Sequence, residues 1–182
     1  MGTSFYRSLF FRFFVAVVVI QGIHVVEHII QLGQIYLFNV PENEALGILG
    51  YLIQFNDTEE WLHLAFNSTY LLAIYILFLP IRSLTPAIVP AWAFALFVAG
   101  AVGLESWHVI EHVVIISNVI QNHGCPCPGI GDSVLGVSDA VLHFVYNSVA
   151  YLSLVVPFHY IVQAVPRAQD LVSARPQGTA SA

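Results

Sequence analysis

The sequence predicts an all-α membrane protein: a four-transmembrane-helix bundle built from two parallel two-helix repeats. Three observations carry this fold class. Of the 182 residues, 58% are hydrophobic and only 9% charged, whereas a soluble domain averages roughly 25% charged residues, so a water-facing surface could not be covered. Four segments stay apolar over the length a bilayer demands, about 20 residues each. Two polar motifs also recur, in the same order, in the two halves of the chain. The five basic residues are all arginine and the formal net charge is −6, which excludes the basic patch of a nucleic-acid binder.

The first span is read at 9–38. Arg7 and Arg12 precede its apolar run, and no small-residue cleavage site follows, so the segment reads as a retained span and not as a signal peptide. The second, third and fourth spans are read at 61–79, 87–119 and 137–165. Each should be helical, because the bilayer interior offers no water to backbone amides and carbonyls and a helix satisfies them internally. The chain then forms one domain over 1–166, with the first repeat at 9–80 and the second at 86–165. The stretch 167–182 is expected to be a disordered cytoplasmic tail.

Arg7 and Arg12, then Arg82, then Arg167 and Arg175 all fall on one side of a four-span topology. By the positive-inside rule that side is cytoplasmic, which puts both termini inside and the loops at 39–60 and 120–138 outside. The outer loops carry most of the acidic residues.

The repeat is specific. His24-Val-Val-Glu27-His28 in the first span returns as His108-Val-Ile-Glu111-His112 in the third, 84 residues later. The second span holds His63 followed by Asn67-Ser68, and the fourth His143 followed by Asn147-Ser148, 80 residues later. Two spans per repeat make the halves enter the membrane in the same direction, so a pseudo-two-fold axis along the membrane normal should relate them. At about 1.5 Å per helical residue, His63 lies about 28 Å from Arg82 and His24 about 26 Å from Arg7. The motif residues thus collect in the outer half of the membrane.

Residues i, i+3 and i+4 share a helix face, so each HxxEH can converge. Ionisable residues inside a span are costly and point to function. A lone buried histidine is more often a packing residue than a ligand. Two copies of HxxEH, each followed by a histidine helix at the same depth, favour a metal site built from His24, Glu27, His28, His63, His108, Glu111, His112 and His143. Glu27 and Glu111 have no Arg or Lys at their level, and a cation bridged by the two carboxylates would compensate them, as in carboxylate-bridged dimetal bundles. The imidazole-rich shell suits about two ions of Fe or Cu, with Zn as a further choice, and disfavours Mg and Ca. Asn67, Asn147, Gln21 and Glu105 are expected to orient the ligands. Glu59 and Asp139 should admit cations from the outside.

The outer loop at 120–138 adds His123, Cys125 and Cys127, a set that could hold a soft metal or close a disulfide in an oxidising compartment. It has no evident counterpart in the first half. HxxEH is also the inverted zinc-protease spelling, but two equivalent copies in apolar helices argue against a protease. The function expected is redox chemistry on a small or lipophilic molecule, with the lipid bilayer as surroundings and an electron donor or membrane-complex subunit as partner. Metal handling at the outer face, a b-type cytochrome gripping haem between axial histidines, a metal-free proton or ion relay, and a structural subunit are the alternatives.

Overall fold

The computed structural model describes residues 2–53, 59–122 and 129–173, and all regular structure among them is helical. Helix α1 runs Gly2–Phe38, α2 Gly47–Ile53 and α3 Glu59–Ser83. The third span is composite: α4 (Ala91–Leu96), a π-helical segment (Phe97–Leu104) and α5 (Glu105–Gln121). Short α6 (Ile130–Leu135) and long α7 (Asp139–Ser173) complete the chain.

Four helical stretches are long and apolar enough to cross a membrane: Leu9–Phe38, Trp61–Ser83, Ala91–Gln121 and Asp139–Ala164. Helix α1 covers the first expected span, 9–38, ends with it at Phe38 and begins earlier, at Gly2. The third begins later than the expected residue 87, because Pro90 adopts an extended backbone (φ −58, ψ 147) immediately before Ala91. Proline lacks the N–H that an interior helix position must donate, so the helix starts after it. The second span extends past residue 79 and carries Pro80 near its end, where Ser83 Oγ donates to the Pro80 carbonyl oxygen. Helix α7 continues beyond the expected end of the fourth span to Ser173, and the remainder of the expected tail, 174–182, lies outside the described residues.

The polarity of the bundle is inverted relative to a soluble protein. Gln21, Asn67, Glu105, His108, His112 and Asn147 are fully buried, while Val19, Ile20, Ile23, Leu72, Ile76 and Leu152 are exposed. Lipid tolerates such an apolar exterior, and water does not. Helix α1 packs along α7, and α3 along α5. The π-helical segment also packs on α7. Its Gly100 makes that contact possible, since a Cβ there would collide with Ser153 Oγ and lie 2.6 Å from Ser153 Cβ.

The interior divides into two zones along the spans. Phe14, Val17 and Val18 precede Gln21 in α1. Ile74, Leu77 and Ile81 follow Asn67 in α3. Phe97 and Ala101 precede Glu105, and Leu154 and Ile161 follow Asn147. These residues form one closed apolar cluster on the side of Arg12 and Arg82. Apart from Ser153, the buried polar residues occupy the other half, so the pattern of each helix largely sets both layers.

Candidate metal centre

All six motif histidines meet between the four spans. His24 and His28 come from α1, His63 from α3, His108 and His112 from α5, and His143 from α7. The His63 ring lies 5.6 to 6.1 Å from the rings of His24, His28, His112 and His143, and His28 lies 6.2 Å from His143. The His24 and His28 Nε2 atoms are 3.2 Å apart, as i and i+4 on one helix allow.

The tightest convergence is His108, His112 and His143. All three are buried, and one ring nitrogen of each lies within 4.8 Å of the others. His143 Nδ1 lies 2.8 Å from the Asp139 carbonyl oxygen and 3.0 Å from the Asp139 carboxylate Oδ2. Both are acceptors, so Nδ1 carries the hydrogen and Nε2 is the unprotonated nitrogen of the ring. Asn67 Nδ2 donates to His112 Nε2 at 3.0 Å, so that nitrogen carries no hydrogen and its lone pair is engaged by the Asn67 amide. The two Nε2 atoms are 3.1 Å apart. A cation placed here would take the His112 lone pair from the Asn67 amide. An ion at the usual metal–imidazole distance of about 2.0–2.1 Å from both would subtend an angle of about 98°, within the range of tetrahedral and octahedral sites. His108 Nε2 is buried without a hydrogen-bond partner among the described residues, and so a third nitrogen in this group has its valence open.

The polar residues beside the histidines fall into matching contacts. Asn147 Nδ2 donates to the His143 carbonyl oxygen at 2.9 Å, which fixes its amide, and to His28 Nε2 at 3.1 Å. Gln21 Nε2 donates to Asn147 Oδ1 at 2.8 Å. Asn67 serves His112 as Asn147 serves His28. Glu105 Oε2 lies 3.5 Å from His108 Nδ1, both side chains being fully buried. The expected orienting residues therefore all touch, directly or through one partner, a histidine of the cluster. No protein-family model, no curated protein and no solved structure matches this chain.

Glu27 and Glu111 are buried beside the histidines and engage backbone amides. Leu49 N donates to Glu27 Oε1 at 2.5 Å, and Gly131 N donates to Glu111 Oε1 at 2.6 Å. Each donor belongs to the first turn of a short outer helix, α2 or α6. Glu111 Oε2 is buried without a partner among the described residues. The sequence offered no side chain as a partner for these carboxylates because the partners are main-chain groups. Gly47 and Gly129, each two residues before its donor, were the available signal.

Asp139 sits at the start of α7 with its side chain 39% exposed, so it joins the outer surface to buried His143. Glu42 Oε1 accepts from Ala140 N at 2.9 Å, placing the loop between α1 and α2 over the start of α7, where a carboxylate complements the helix dipole. Glu59 lies at the start of α3. His123, Cys125 and Cys127 lie outside the described residues. His159 is exposed, away from the cluster, and its Nε2 pairs with Gln163 Nε2 at 2.9 Å.

Proposed function

We propose that this is an integral membrane metalloprotein whose histidine cluster holds a first-row transition metal, with His108, His112 and His143 as the leading ligands. The observation that carries the reading is the convergence of three buried imidazoles, one ring nitrogen of each within 4.8 Å of the others. Nitrogen ligands favour Fe, Cu or Zn over Mg or Ca. His24, His28 and His63 adjoin the triad and would complete a dinuclear centre of two ions per chain. The duplicated motifs and the paired Asn67–His112 and Asn147–His28 contacts support two related halves about an axis along the membrane normal.

A resident ion fits better than one in transit. The closed apolar cluster of Phe14, Leu77, Phe97 and Leu154 lies between the histidines and the arginine side and offers no ligand for onward passage. With that side cytoplasmic, the centre faces the outer half of the bilayer. A resident Fe or Cu centre in an apolar bundle supports an oxidoreductase acting on a small or lipophilic molecule. A shallow groove of about 350 Å³ between α1 and α7, lined by Val18, Val19, Gly22, Ile23, Val26 and Tyr151, supports approach from lipid. Haem would need a flat slot between facing helices, whereas the histidine rings pack on one another at 4.6 to 6.2 Å.

The deciding experiment is elemental analysis of protein purified in mild detergent, with an absorption spectrum. One to two Fe, Cu or Zn per chain is expected, falling below half in His112→Ala and His143→Ala. Metal-free wild-type protein would overturn the reading and leave a structural polar network, and a Soret band would replace it with a b-type cytochrome.

A further inference from the structure

The two short outer helices stand in the same relation to the two HxxEH motifs. In the first half, Leu49 N in α2 donates to Glu27 at 2.5 Å, and in the second half Gly131 N in α6 donates to Glu111 at 2.6 Å. In both, the residue two positions before the donor is a glycine with no room for a side chain. A Cβ on Gly47 would collide with Glu27 Oε1 and lie 2.7 Å from its Cδ. A Cβ on Gly129 would collide with Glu111 Oε1 and lie 2.9 Å from its Cδ. Gly47 also has φ +68, a left-handed conformation that glycine adopts without steric cost. The backbone therefore presses down on each carboxylate.

Both carboxylates are nearly fully buried, at 8% exposure for Glu27 and 2% for Glu111. A buried carboxyl oxygen needs a hydrogen-bond donor, and a backbone amide supplies it to each glutamate. Each glutamate precedes a cluster histidine, His28 or His112. The α6 end reaches further: a Cβ on Gly131 would lie 2.7 Å from the Tyr146 hydroxyl and 3.3 Å from Leu142 Cδ1, and the Tyr146 ring is 5.3 Å from His108. Gly129 and Gly131 are themselves buried. The start of α6 is thus seated on Glu111 and Tyr146, between the outside and the triad.

We propose that Glu27 and Glu111 are latches: each holds the first turn of a short outer helix as a cover over the histidine cluster, and reagents from the outer side reach the cluster only when a latch opens. A bridging glutamate would have its oxygens on metal. A latching glutamate spends one oxygen on the cover, and for this role glutamine, whose side-chain oxygen also accepts, is an adequate substitute. The covers explain why a glycine stands two residues before the donor amide in both loops, Gly47 before Leu49 and Gly129 before Gly131.

The test uses the full chain in detergent, stripped of metal with a chelator, with two readouts that need no bound ion. The first is hydrogen–deuterium exchange of the segments Gly47–Ile53 and Ile130–Leu135 with their preceding residues. The second is the rate at which diethylpyrocarbonate modifies His108, His112 and His143, followed by mass spectrometry. In Glu111→Ala and Gly129→Ala, exchange at the Gly131 amide should rise about tenfold or more, the loss expected when a hydrogen bond to a charged group goes. Triad modification should accelerate in parallel. Glu111→Gln should stay close to wild type in both, and Glu27→Ala should loosen the α2 segment alone. Unchanged exchange in Glu111→Ala, or loosened covers with unchanged histidine modification, would overturn the proposal. Normal covers together with loss of bound metal in Glu111→Gln would overturn it in favour of a ligand role. A wild-type chain without metal would sink the metal reading and leave both readouts to decide the latch.

Discussion

Asp139→Asn tests whether the exposed end of the site acts on metal through His143. His143 Nδ1 has two acceptors on the same residue, the carbonyl oxygen at 2.8 Å and carboxylate Oδ2 at 3.0 Å. The substitution removes the charge and keeps the backbone acceptor, so the ring stays in place and Nε2 stays unprotonated. Removing the partner of a ligating histidine costs about 10–100-fold in metal affinity. Two features put Asp139→Asn at the low end. The carbonyl contact survives, and the carboxylate is 39% exposed, where water screens its field. The expected change is about tenfold weaker Zn²⁺ binding, or about 1.4 kcal/mol, with unchanged stoichiometry. Competition between the detergent-solubilised protein and a chromophoric chelator measures the affinity, and elemental analysis the stoichiometry. Unaltered affinity would refute a role for the carboxylate through His143, and lost stoichiometry would make Asp139 itself a ligand.

Other outcomes follow from the same contacts. His159→Ala should leave metal content at the wild-type level while His143→Ala empties the triad, because His159 is exposed and paired with Gln163. Gly100→Ala should cost about 1–3 kcal/mol through overpacking against Ser153, lowering the melting temperature by about 2–4 °C per kcal/mol, and Ser153→Gly should recover part of the loss. Asn147→Ala should destabilise more than Asn67→Ala, because Asn147 bonds His28, the His143 carbonyl oxygen and Gln21 together. The gap should be about 1–2 kcal/mol in denaturant or thermal unfolding.

The spans were legible in the sequence because apolar length is a local property, and the histidine convergence was legible because i, i+3 and i+4 share a face. The start of the third span was misplaced by four residues, although Pro90 carried the signal. Less could be read of how tightly the motifs close. The HxxEH copies have the same pattern, yet only His108, His112 and His143 gather within 4.8 Å. The second copy follows a π-helical segment that α1 lacks, and that segment rests on the fit of Gly100 against Ser153 in a distant helix, which no window of sequence contains. The partners of Glu27 and Glu111 were invisible for a different reason. A backbone amide has no residue identity, and only the glycines that let it approach leave a trace.

The layering of the interior has an electrical consequence. His63 and His143 each lie four residues inside the start of their helices, while His24 and His108 stand near the middle of their apolar spans, so a cation held among them would lie between the bilayer midplane and the face opposite the arginines. A membrane voltage of 100 mV acts on an elementary charge with about 2.3 kcal/mol over the full thickness. An off-centre ion feels a fraction of that drop, largest for a divalent one. Occupancy in an energised membrane should therefore vary with voltage, and the sign of that variation would report which face of the membrane the histidines look toward.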